Sequence, residues 1–146
     1  MKLRTSLAAA GAAVVLGTTG ALVLPAVASA HGTTHTLKFV SLETGTVSFT
    51  RATGGIQNTD FNAAGKKVGF LTLYFAATSP STVAVNVTVD TKGGFLYGTF
   101  TFNPRTGVVT NGKVTGGTGA FAGATGTIKV KTISTTKHAI TITYSG

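Results

Sequence analysis

Val83, Val85, Val87 and Val89 occupy every second position of one segment and alternate with Ala84, Asn86, Thr88 and Asp90. Successive side chains of an extended chain point to opposite faces, so this spacing predicts a strand over 82–90 with an apolar and a wet face. The segment 94–102 repeats the pattern, with Leu96, Gly98, Phe100 and Phe102 set against Phe95, Tyr97, Thr99 and Thr101. Lys92-Gly93-Gly94 between them reads as a hairpin turn, because glycine tolerates the positive φ that tight turns require. Further strands are predicted over 36–42, 46–50, 68–76, 108–115, 127–133 and 138–143, about eight in all. Ile128 and Val130 alternate with Lys129 and Lys131, and Ile140 and Ile142 alternate with Thr141 and Thr143. Ser79-Pro80-Ser81 and Asn103-Pro104-Arg105-Thr106-Gly107 read as turns. No segment after residue 31 sustains a helical period, so the fold class is all-β.

Ahead of these strands stands a different kind of segment. Lys2 and Arg4 charge the amino end, and residues 7–24 are almost entirely Ala, Gly, Val, Leu and Thr. Pro25 interrupts the run, and Ala28-Ser29-Ala30 supplies the small residues a signal peptidase needs. A membrane-spanning helix is the competing reading, since the run is about 18 residues long. It is rich in Gly and Ala, however, and no basic stop-transfer cluster follows. Residues 1–30 are therefore expected to be a cleaved secretory signal, which would leave 31–146 as a single secreted, extracellular domain. No stable membrane insertion is expected after cleavage.

The chain carries 12 basic and 3 acidic residues, a net charge of +9 that falls to about +7 without Lys2 and Arg4. Nucleic acid is not the expected partner. The charges are scattered singly apart from Lys66-Lys67, and no aromatic residues alternate with a basic cluster to stack bases. Attraction to anionic wall polymers or membrane surfaces is a milder consequence of the same charge. With no cysteine, disulfides, cysteine zinc sites and thiol catalysis are excluded. The domain must hold itself together by its core, by closing its sheet, or by oligomerising.

Short antiparallel strands in this number form a sandwich or close into a barrel, and pattern alone does not choose. Closure would remove the exposed edges of a Val- and Thr-rich sheet. An eight-stranded barrel has an interior that side chains just fill, or that holds one small ligand.

The most distinctive stretch is 114–128, in which Gly116, Gly117, Gly119, Gly123 and Gly126 surround Phe121 and Ala124. It reads as a compact turn whose Phe121 plugs one end of the sheet, with glycines allowing close approach and left-handed backbone. A phosphate-cradling loop would have to open a helix and carry a Walker lysine, and neither follows here. The stretch resembles the GGTGxFxxAxG signature of dirigent proteins and of their structural relatives, the allene oxide cyclases. Gly94-Phe95-Leu96-Tyr97-Gly98-Thr99 is similar to the dirigent glycine–aromatic–glycine strand opening, and 108–115 fits the strand leading into the glycine motif. The resemblance covers roughly residues 60–130. It implies an eight-stranded antiparallel β-barrel, often trimeric, with a mostly apolar cavity and no cofactor. In the plant relatives that cavity positions phenoxy radicals or cyclises an epoxy fatty acid. This chain departs from the plant pattern: Ala122 and Thr125 stand where basic residues are common. Leu37-Lys38-Phe39-Val40-Ser41-Leu42 lacks the His-Asp pair of the first plant strand. The plant chemistry therefore does not carry over with the fold.

A cavity chemistry needs a few polar groups among apolar walls. Tyr74, Asp90 and Tyr97 are the candidate ligand-binding residues. Their alternatives are tyrosines at a barrel rim and, for Asp90, a hairpin residue accepting turn hydrogen bonds. Glu43 before Thr44-Gly45 reads mainly as a turn residue and Arg105 as a solvated one. Asn86-Val87-Thr88 is a formal glycosylation sequon set in mid-strand. Cleavage after Ala30 would expose His31, whose terminal amine and imidazole could chelate copper with His35 or His138. No other histidine-brace motif is present, and no metal is expected. Neither a Gly-x-Ser-x-Gly elbow nor a carboxylate pair is present, so no catalytic residue can be named.

Three functions follow. The first is a secreted dirigent-like barrel that binds a small apolar or aromatic ligand in its lumen and steers its cyclisation or coupling by positioning. The second is a cofactor-free cyclase using Asp90 and a tyrosine as acid and base. The third is a non-catalytic surface or matrix protein with a packed barrel.

Overall fold

The structure, a computed structural model, describes residues 32–49 and 52–146, with the backbone alone at 46–49. The expected export signal and His31 lie outside the described residues. Eight strands follow in order: β1 (Thr34–Phe49), β2 (Thr53–Phe61), β3 (Lys67–Ser79), β4 (Thr82–Thr91), β5 (Gly94–Phe102), β6 (Val109–Gly117), β7 (Thr125–Ser134) and β8 (Lys137–Ser145). Each pairs antiparallel with the next, and β8 returns to pair with β1. The sheet is thus a closed eight-stranded barrel, with its shortest pairing between β6 and β7.

Six of the expected strands lie where the alternation placed them. The segment 36–42 and the described part of 46–50, however, are one strand, β1, whose pairing with β2 shifts between Glu43 and Gly45 and again between Thr46 and Ser48. Such bulges break the period of two and make one strand read as two. Strand β2 carried no apolar alternation to announce it. Its inward positions include Asn58 and Asp60, both buried.

One end of the barrel is packed solid. Leu71, Val89, Leu96, Ala124 and Ile142 are each 1% exposed there, and each large side chain so buried contributes about 1.5–3 kcal/mol. A single 3-10 turn, Gly119–Phe121, drops the Phe121 ring into this end. The ring is buried and meets Tyr144 edge-on at 5.5 Å. Thr118 N–H donates to the Phe95 carbonyl at 2.8 Å, and Ala120 N–H to that of Gly93 at 2.8 Å, tying the plug to the β4–β5 hairpin. A β-carbon on Gly117 would strike Phe121 and the Phe95 carbonyl, so the close approach requires glycine there. The loops β3–β4, β5–β6 and β7–β8 lie at the opposite end, which opens into a cavity.

Candidate functional site: a lumen with a polar wall

The open end leads into a cavity of about 370 Å³. That volume suits one small molecule. Most of its wall is apolar: Ile56, Leu73, Phe75, Val83, Val85, Phe100, Phe102, Val109, Val130 and Ile140 line it, with Pro104 and Thr135 at the mouth. These are the inward faces of the same alternation that defines the strands, so the lumen is a direct consequence of sheet closure.

Polar groups enter the cavity mainly from one side. Strand pairing sets Glu43 of β1 against Asn58 of β2, Ser41 of β1 against Asp60 of β2, and His138 of β8 against Ser41. Glu43, Asn58 and His138 line the cavity, as does Thr132 of β7, which pairs with His138. Asp60 lies two residues farther along β2, toward the plugged end, and is 1% exposed. Asn58 donates through Nδ2 to the Ser41 hydroxyl at 3.0 Å, and both residues are buried.

Four buried atoms of this wall have no hydrogen-bond partner: Asn58 Oδ1, the two Asp60 carboxyl oxygens and His138 Nδ1. Unpaired buried polar groups are rare because each forfeits its hydration. Burial pushes the Asp60 carboxyl up from 3.8 to about 6, and the neighbouring Ser41 hydroxyl offsets only part of this. Burial likewise holds the His138 imidazole below its ordinary 6.5, against the opposing pull of the Glu43 charge. A carboxyl near pH 6 beside a cavity and a neutral-leaning imidazole in its wall can hold or exchange a proton close to neutral pH. Asn58 Oδ1 and His138 Nδ1 belong to residues that line the cavity, whereas the Asp60 oxygens lie beyond it beside the Ser41 hydroxyl.

Of the residues singled out from the sequence, none of the three ligand candidates lines this lumen. Tyr74 and Tyr97 are 53% and 38% exposed on the outer wall. Asp90 shares that outward parity with Asn86 and Thr88, opposite to Val87 and Val89, and pairs between Phe70 and Phe95. Tyr74 borders a shallow external groove with Gly54, Gly55, Ala84 and Asn86. Arg105 is exposed in a turn whose amides bond to Asn103 Oδ1. His35 stacks on Tyr144 at 5.4 Å, whereas His138 lies six residues away along β8, about 20 Å in an extended strand. Among the described residues, no three His, Asp or Glu side chains cluster in a way that could hold a metal ion.

Sequence reading passed over Asn58, Asp60, Ser41 and His138 as lumen residues. The available signal was Asn58 and Asp60 at a spacing of two, a strand period with polar residues on the inside.

No protein-family model and no curated protein matches the chain. Solved structures do. A pyocyanin demethylase superimposes over 77% of this chain and 100% of its own, with TM-score 0.56 and 20% identity. A pterocarpan synthase dirigent protein superimposes over 81% of this chain and 89% of its own, with TM-score 0.54 and 19% identity. The fold is a dirigent-like β-barrel, as the glycine segment implied.

Proposed function

We propose that this chain is an exported binding barrel that holds one small apolar or aromatic molecule in its lumen. The molecule's hydrogen-bond donor would be seated on Asn58 and His138. The observation that carries the reading is the open cavity of about 370 Å³, apolar on most sides and lined on one side by Asn58 and His138, each of which holds a buried polar atom without a partner. A packed structural barrel would have filled that space with side chains. Two barrels of the same fold are named for acting on pyocyanin and for making pterocarpan, which supports a small aromatic ligand.

A carboxylate-bearing ligand fits poorly, because Glu43 lines the cavity and Asp60 lies just beyond it. A neutral phenolic or N–H donor fits well. Turnover, where it occurs, would come from holding the ligand in one pose, with Asp60 and His138 able to take or return a proton.

Native mass spectrometry and calorimetry with 2-naphthol, naphthalene and 2-naphthoate test this reading. The naphthol is expected to bind at least about tenfold more tightly than the naphthoate, the scale of one buried charge-assisted contact. Val85→Trp, which fills the lumen, should abolish binding while the β-sheet circular dichroism persists. No binding of any of the three at millimolar concentration, or unchanged binding by Val85→Trp, would remove the proposal's basis.

A further inference from the structure

Five lysines share one outer wall of the barrel. Lys38 on β1, Lys113 on β6, Lys129 and Lys131 on β7 and Lys137 on β8 are all exposed. Their strand neighbours Phe39, Val114, Ile128 and Ile140 are buried, so the lysines point outward. None makes a hydrogen bond or ion pair among the described residues. The chain has only three acidic side chains. Glu43 lines the lumen, Asp60 is buried, and Asp90 is on β4, which lies opposite β8 in a ring of eight. The wall formed by β6, β7, β8 and β1 therefore carries five positive side chains and no negative one.

Register orders this wall into rows. Lys129 pairs with Thr141, which pairs with Lys38. The next row is Lys113, Thr127, Thr143 and Thr36, and the one after it is Thr125, Ser145 and Thr34. Strands about 4.8 Å apart put Lys38 and Lys129 about 10 Å from each other, and Lys129 and Lys131 are about 7 Å apart along β7. Hydroxyls that both donate and accept fill the space between the charges.

We infer that this lysine–threonine wall is a docking surface for an acidic polysaccharide, whose charges would meet the lysines while its hydroxyls meet the threonines. Three features favour that partner over other polyanions. Among the described side chains, the outward positions of these four strands hold no aromatic ring on which a nucleic-acid base could stack. Ile133 is the single large apolar side chain exposed there among the described residues, too little to anchor in a bilayer. A convex barrel wall touches a flat membrane along one line, whereas a linear polymer can follow the curve and reach several rows. The surface is on the outside of the barrel and is independent of what the lumen holds.

The test is binding of polygalacturonate to the purified chain from about 20 to 200 mM salt, with dextran as the uncharged control. Affinity should fall steeply with salt, and dextran should not bind. The pair Lys38→Glu and Lys129→Glu should weaken binding at least about tenfold, whereas Lys92→Glu with Arg105→Glu, an equal change of net charge in two turns, should weaken it less than about threefold. Equal losses from the two pairs would reduce the effect to net charge and overturn the inference. Tighter binding of duplex DNA or of anionic phospholipid vesicles, at equal charge concentration, would overturn it as well. Lys38→Gln with Lys129→Gln guards against misfolding of the reversed-charge pair, and it should show an intermediate loss with an unchanged thermal midpoint.

Discussion

Asn58 on β2 spends its Nδ2 donor on the Ser41 hydroxyl of β1, at 3.0 Å, and so leaves its own Oδ1 unpaired in a buried wall. A glutamine or asparagine amide normally satisfies both ends when buried. Here the donor end is fixed by the neighbouring strand and the acceptor end is left for something else. The unpaired Oδ1 follows from this one bond.

Replacing Asn58 with leucine should separate binding from folding. The change removes an unpaired acceptor together with one hydrogen bond, so stability is expected to move by no more than about 1 kcal/mol. Affinity for 2-naphthol should fall about tenfold while affinity for naphthalene holds or rises. Equal losses for both ligands in calorimetry would mean that Asn58 only shapes the cavity.

Asp60 makes stability depend on pH in a direction unusual for an aspartate. Its folded carboxyl is raised above its unfolded value, from 3.8 to about 6, so the protonated form is favoured in the barrel. Its contribution is fully present below pH 3.8 and is lost as pH rises through about 6, at a cost approaching about 3 kcal/mol. His138 is lowered, so it acts oppositely and costs stability as pH falls below 6.5. Asp60→Asn should therefore stabilise the barrel at pH 8 and change it far less at pH 4, as read by urea unfolding. A constant offset across that range would show that Asp60 is not held near pH 6.

Phe121→Ala should open the plugged end. Deleting a buried phenylalanine ring costs about 3–5 kcal/mol, a large fraction of the stability of a domain this small. The thermal midpoint should drop by more than 10 °C, by roughly 4 °C per kcal/mol. A drop of only a few degrees would mean that the glycine segment holds the end closed without the ring.

Tyr74→Phe, Tyr97→Phe and Asp90→Asn should each leave lumen binding within about twofold of the parent. These three side chains belong to the outer face of β3, β4 and β5. A larger loss for any of them, measured with 2-naphthol, would place the ligand on the outside of the barrel.

The strand content, the hairpin at Lys92-Gly93-Gly94 and the Phe121 plug were all legible in the residues. Each rests on local chemistry: a period of two, a glycine in a tight turn, a lone aromatic among glycines. The alternation even held the parity of Asp90, which faces away from the valine side of its own strand. What alternation could not reveal was a strand with polar residues on its inner face. Strand β2 escaped notice for the reason that makes it interesting, since Asn58 and Asp60 occupy positions that a simple core would give to valine or leucine.

The valine strand thus determined, without help, that this chain would build an apolar inner wall. Tertiary structure alone decided that the wall would close on itself, leave about 370 Å³ unfilled and receive four polar side chains, Glu43, Asn58, Thr132 and His138, from β1, β2, β7 and β8. The physical reason is distance along the chain. Ser41, Asn58 and His138 meet only through strand register, and register is set by how eight strands close, which no single segment encodes.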